Sequence, residues 1–194
     1  RNSIGINKKM LFSASNTKLL LDSGNIIIRS SAASTGAISA IPTGVIINYD
    51  KGLTNNNRGR FIVERYNNNA RKWRFFSIPT NTPQSINEAW QEGDQTGSGN
   101  PVPGYGTRVG SYYSNWGSSN WFDMYTPGGH DMKFWSNDAN QRYNTISKTD
   151  TAIATNTGWM KFVRGDRSVV TSTGSSATIL RTRGTIKRNA QSVT

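Results

Sequence analysis

The residues able to do chemistry are few and scattered. The chain has one histidine, His130, in Pro127-Gly128-Gly129-His130-Asp131. A His-Asp pair can orient a general base. Adjacent residues on a strand point to opposite faces, however, and no Gly-x-Ser-x-Gly elbow supplies a nucleophile. Glu88 and Glu92 stand one helical turn apart, the spacing of a solvated helix face rather than of two carboxylates across a cleft. Asp94 and Asp138 could join a Ca²⁺ site, but the regularly spaced acids of a calcium loop are missing. With no cysteine, thiolate metal sites and disulfides are both excluded. The expectation is a protein without catalytic residues, cofactor or metal.

Binding is the better-supported chemistry. Tyr112, Tyr113, Trp116 and Trp121 sit among Gly, Ser and Asn in a long polar excursion over residues 93–121. Aromatic rings on such a loop can stack on sugars, bury against a neighbouring subunit, or fold back over the core. A second candidate is Arg164-Gly165-Asp166, the tripeptide associated with integrin binding. It lies between two apolar runs, Trp159 to Val163 and Ser168 to Val170. That pattern predicts a β-hairpin with Arg164, Gly165, Asp166 and Arg167 as its structural turn. Trp159, Lys161 and Val163 then share one face, and Met160 and Phe162 the other.

The elements that must position these residues are strands. Of 194 residues, 34% are hydrophobic, below the usual globular share. Six Trp mean that the core is built from large side chains. Asn, Thr, Ser and Gly fill most of the rest, as in short strands joined by many turns. No apolar run approaches the length of a transmembrane helix.

Two textures divide the chain. Residues 1–57 are aliphatic and small. Leu19 to Leu21 and Ile26 to Ile28 flank the turn signal Asp22-Ser23-Gly24-Asn25, and Val45 to Ile47 continues the pattern. Such runs suit strands buried on both faces, in a sandwich core or a β-solenoid rung. Residues 58–188 carry the aromatics. Strands are expected at Phe61 to Tyr66, Trp73 to Ile78, Met132 to Trp135, Gln141 to Ile146, Trp159 to Val163, Ser168 to Thr171 and Thr178 to Thr182. One helix is expected over 82–91, capped by Thr82 with Pro83 at its first position, Ile86, Ala89 and Trp90 on one face, and Gly93 at its end. Residues 189–194 read as a tail or linker. The fold class is therefore all-β: an aliphatic segment, solenoid-like or made of edge strands, leading into an aromatic-rich antiparallel β-sandwich with one short helix.

Charge is lopsided, with 23 Lys and Arg against 11 Asp and Glu, a net +12. A basic chain favours polyanions such as anionic glycans. The basic residues are dispersed and no nucleic-acid-binding signature is present, so nucleic acid is not the expected partner. The chain opens on Arg1 and reads as an excised part of a longer precursor.

The ordered series Val63-Glu64-Arg65-Tyr66, Trp73 to Pro79, Trp90-Gln91-Glu92-Gly93, Pro103-Gly104-Tyr105-Gly106-Thr107, Phe122-Asp123 and Phe162 to Arg167 resembles a β-rich module. It is found in large secreted and cell-surface proteins of Bacteroidota, of the kind exported by type IX (Por) secretion. The likeness covers roughly residues 19–187, with Trp121 standing where Gly is expected before Phe122-Asp123. The family offers no catalytic residues to carry over. The resemblance implies an extracellular or cell-surface location and a non-enzymatic structural or adhesive role, with self-association into an oligomer or filament, or contact with other surface proteins. The alternative is a carbohydrate-binding module using the four loop aromatics.

Overall fold

The computed structural model describes residues 3–12, 17–21, 24–49, 60–81, 84–94, 99–112, 119–123, 129–154, 157–171 and 173–186. The described residues form an all-β fold with one short helix. The chain winds twice before it reaches the aromatic region. The first winding carries β1 (Ser3–Ile6), β2 (Lys9–Met10) and β3 (Lys18–Leu21). The second carries β4 (Asn25–Ile28), β5 (Ala37–Ile38) and β6 (Ile46–Tyr49). Each strand of the second winding lies parallel to its counterpart in the first: β1 with β4, β2 with β5 and β3 with β6. These are two rungs of a β-solenoid. Leu21, Ile26, Ile28 and Phe61 form its buried interior, with Ile6, Met10, Leu19, Ile38 and Ile47 packed against them.

The aliphatic runs are buried on one face only, which corrects the two-sided expectation. Leu20 is 59% exposed beside Leu21 at 6%, because successive strand residues point opposite ways. Leu19–Leu21 and Ile26–Ile28 are both strands, but they pair with different partners rather than with each other.

β7 (Phe61–Asn67) joins the two halves. Its first three residues run parallel to β4, in the register Ile26↔Phe61. Its whole length pairs antiparallel with β13 (Thr178–Ile186), whose end also pairs with β9 (Thr80–Asn81). The resulting five-stranded sheet has the order β1-β4-β7-β13-β9. A second, antiparallel sheet has the order β11-β10-β12-β8. Its strands are β8 (Lys72–Phe76), β10 (Met132–Ser136), β11 (Arg142–Thr145) and β12 (Trp159–Val163). Trp90, Val109, Phe122, Met132, Ile153, Trp159, Val163 and Leu180 belong to the main core of this sandwich-like unit.

Two expected elements differ. The expected cap and first position of the helix, Thr82 and Pro83, lie outside the described residues. The helix, α1 (Ile86–Trp90), is capped instead by Ser85. Its Oγ accepts from the Glu88 N–H at 3.1 Å, while the Glu88 carboxylate accepts from the Ser85 N–H at 2.9 Å. This capping box outcompetes an earlier start because it satisfies two orphan donors at once. Ile86, Ala89 and Trp90 are buried as expected.

The second difference is at 164–167, where the chain does turn but no hairpin forms. β12 lies between β8 and β10, so both its edges are occupied, and Ser168–Thr171 is not a strand. The predicted facing within β12 holds: Trp159, Lys161 and Val163 are buried, while Met160 and Phe162 are less so. Among the described residues no helix is long and apolar enough to cross a membrane.

Candidate functional site

Among the described residues, a buried polar lock and the edge of the solenoid hold groups able to make contacts. The lock is built where β12 ends. There the chain bends and sends the Arg167 side chain, fully buried, into the interior. Its guanidinium grips Asp123 with two parallel bonds, Nη1 to Oδ2 at 2.9 Å and Nη2 to Oδ1 at 2.8 Å. Nη2 also reaches Asp94 Oδ2 at 2.5 Å, Nε donates to the Gly99 carbonyl at 2.9 Å and Nη1 to the Thr107 carbonyl at 3.4 Å.

Asp123 is equally saturated. It accepts from the Val109 N–H and from Gln91 Nε2, both at 2.7 Å, and Arg108 Nη1 stands 3.8 Å away. Burial pushes the Asp123 carboxyl up, against the pull of Arg167 and the N–H donors. Every neighbour in this shell is a donor, which is the environment of a carboxylate. Burial lowers the Arg167 guanidinium, but Asp123 and Asp94 outweigh it and leave the group above its ordinary value.

A second buried pair lies beside the first. Lys161 is fully buried, 3.1 Å from Asp131, and burial pushes its amine down to about 8 despite that carboxylate. Arg164 pairs with the other Asp131 oxygen. The Arg-Gly-Asp segment is therefore internal. Gly165 and Asp166 are buried, and Asp166 accepts from the Gly104 N–H, Ser168 N–H and Asn100 Nδ2. Burial works to raise the Asp166 carboxyl, but bonds from Ser168 and Gly104 leave it below the usual range. Gly165 has φ 156°, and a Cβ there would stand 2.3 Å from Ser176 Oγ.

The catalytic alternative is not assembled. His130 Nδ1 lies 3.1 Å from Ser111 Oγ, and its ring rests edge-on against Tyr112 at 4.8 Å. Asp131 does not orient it, because the Asp131 oxygens are taken by Lys161, Arg164 and the Gly110 N–H. Burial holds the His130 imidazole below its ordinary value, with Asp131 opposing. The Glu88 carboxylate accepts from the Ser85 N–H in the capping box of α1, and Glu92 pairs with Arg181 at 2.5 Å. Among the described residues no three His, Asp or Glu side chains stand together as a metal site. Asp94 is occupied by Arg167 and the Gly99 N–H, and Asp138 accepts from the Asn140 N–H.

Of the four loop aromatics, Tyr112 and Trp121 are among the described residues. Tyr112 is 58% exposed. Trp121 is half-buried, and its carbonyl accepts from Gln91 Nε2 at 3.0 Å and Thr149 Oγ1 at 2.8 Å. Its φ of 58° is left-handed, the conformation in which Gly is free of strain. Tyr113 and Trp116 lie outside the described residues.

Among the described residues, the first winding forms the other edge of the solenoid. β1 is the outermost strand of its sheet and pairs on one side with β4. Ile4 is 66% exposed, and Leu11, Leu20 and Ile46 are also exposed around the windings. Lys8, Lys9 and Lys18 are exposed along the same strands. At the other end of the stack β7 is covered by β13.

Sequence reasoning missed the lock although its parts were legible. Gln91, Thr107, Asp123 and Arg167 fall within the short motifs quoted above; the structure sets Thr107 and Asp123 on the Arg167 guanidinium and Gln91 on Asp123. Comparison with protein-family models, with curated proteins and with solved structures finds no match for this chain.

Proposed function

We propose that this chain is a non-enzymatic structural or adhesive building block of an extracellular or cell-surface assembly, joined to its neighbours through the first solenoid winding. The observation that carries the reading is the asymmetry of the stack. One end is closed by an antiparallel strand, and among the described residues the other ends on β1, where Ile4 is exposed. An open parallel edge is a template for strand addition by another chain. Contacts of that kind between unlike surfaces propagate unless they close into a ring. The resemblance to secreted surface modules, and the structural duties found for the acids and the histidine, support the same reading. The chain is expected to assemble in solution, measured by light scattering, and Ile4→Lys with Leu20→Lys to abolish assembly while leaving the melting temperature of the sandwich intact. Assembly unaffected by these substitutions contradicts the role given to this edge.

A further inference from the structure

The outer face of the second sheet carries aromatic rings and cations. The cross-strand registers Phe162↔Trp73, Met160↔Phe75, Lys133↔Met160 and Trp135↔Tyr143 place these residues on the side away from buried Trp159, Lys161 and Val163. Their rings form two clusters on this face. Trp73 meets Phe162 at 5.5 Å, Trp135 meets Tyr143 at 5.1 Å, and Phe75 meets Tyr143 at 6.0 Å. Phe75 is 69% exposed and Trp73 40%. Cations lie against the same rings: Lys133 is 5.7 Å from Trp73, and Arg71 and Arg164 are 5.7 and 4.8 Å from Phe162. The four strands contain no acid. The neighbouring acids are spoken for, Asp131 by Lys161 and Arg164, and Asp138 by its own turn.

We infer that this face binds an acidic polysaccharide. An apolar patch of exposed rings marks a binding surface. Rings alone would suit any apolar partner, but burying them against a protein would also strip water from the adjoining cations, at a cost. A sugar chain bearing carboxylates or sulfates uses both parts: its ring faces lie on the aromatics and its anions meet Lys133 and Arg71. Single-stranded nucleic acid draws on the same two ingredients. Here, though, the closest rings meet edge-on rather than as separated platforms for successive bases. The choice of polysaccharide rests on the cell-surface adhesive reading.

The test is binding of the full chain to alginate, with dextran and poly(dT) in parallel, followed by affinity electrophoresis. Retardation by alginate and not by dextran is expected. Trp73→Ala with Phe75→Ala should weaken alginate binding at least tenfold, and Lys133→Gln several-fold, with melting temperature and light scattering unchanged. The inference is overturned by absent binding, by equal retardation in dextran, or by alginate binding indifferent to the substitutions. Poly(dT) bound as tightly through the same residues makes the face a nucleic-acid site. Loss of assembly in the Trp73/Phe75 variant makes it a protein interface. A chain that binds alginate yet stays monomeric leaves this inference standing and overturns the building-block reading alone.

Discussion

At the scale of single residues, the sequence hides its most consequential side chain. Arg167 looks like the outer end of a polar turn, yet it is fully buried with two carboxylates and two carbonyls around it. Removing one partner of a buried pair strands the other, so Arg167→Met is expected to cost about 3–5 kcal/mol in denaturant unfolding. Arg167→Lys should recover little, because an ammonium cannot reproduce the fork. The Arg-Gly-Asp tripeptide was legible, and its turn chemistry too, but periodicity says nothing of which way an arginine points once its strand ends. Since Asp166 is spent on internal donors, Asp166→Glu is expected to leave cell adhesion unchanged; a large loss in an adhesion assay would revive the integrin reading. Lys161 supplies a pH test. Its folded-state amine titrates near 8 against an ordinary 10.5, so the native state gives up its proton first. Stability relative to Lys161→Met should therefore rise with pH across that window, by on the order of 3 kcal/mol. A flat difference between the two unfolding curves from pH 8 to 10.5 contradicts the buried-amine account.

At the scale of elements, strands were readable and their partners were not. Alternating and aliphatic runs located β3, β4, β7, β8, β10, β11, β12 and β13, because side-chain alternation is a local property. Pairing is not local. Leu19–Leu21 and Ile26–Ile28 flank a strong turn signal, yet they pair with strands distant in sequence, the first with β6 and the second with β1 and β7. β7 and β8 flank an Asn-rich turn and enter different sheets. The expected strand at Ser168–Thr171 fails for a positive reason: Arg167 must stay inside, and β12 already has neighbours on both edges. The helix shows the same balance. Its buried face was legible, and its start was set by a reciprocal pair of bonds rather than by Thr82. Ser85→Ala is accordingly expected to lower stability by about 1 kcal/mol in thermal or chemical unfolding. An unchanged midpoint would mean that Ser85 does not hold the helix start.

At the scale of the whole molecule, composition announced an all-β fold and a cationic surface, and the structure is mostly strand. How the two halves join was not legible, because β7 belongs to both, parallel to β4 and antiparallel to β13. Chelator treatment is expected to leave the melting temperature where it is, since Asp94 and Asp138 are engaged by protein donors; a drop of several degrees would reveal a bound Ca²⁺. The central claim is assembly through the first winding. The net charge of +12 opposes it at low ionic strength, and added salt screens that repulsion. Light scattering across a salt series tests the claim most directly. The account predicts species larger than the 21.4 kDa chain that grow with salt and vanish in the Ile4→Lys, Leu20→Lys variant. A monodisperse particle of the mass of one chain at every salt concentration, identical in the variant, would contradict it.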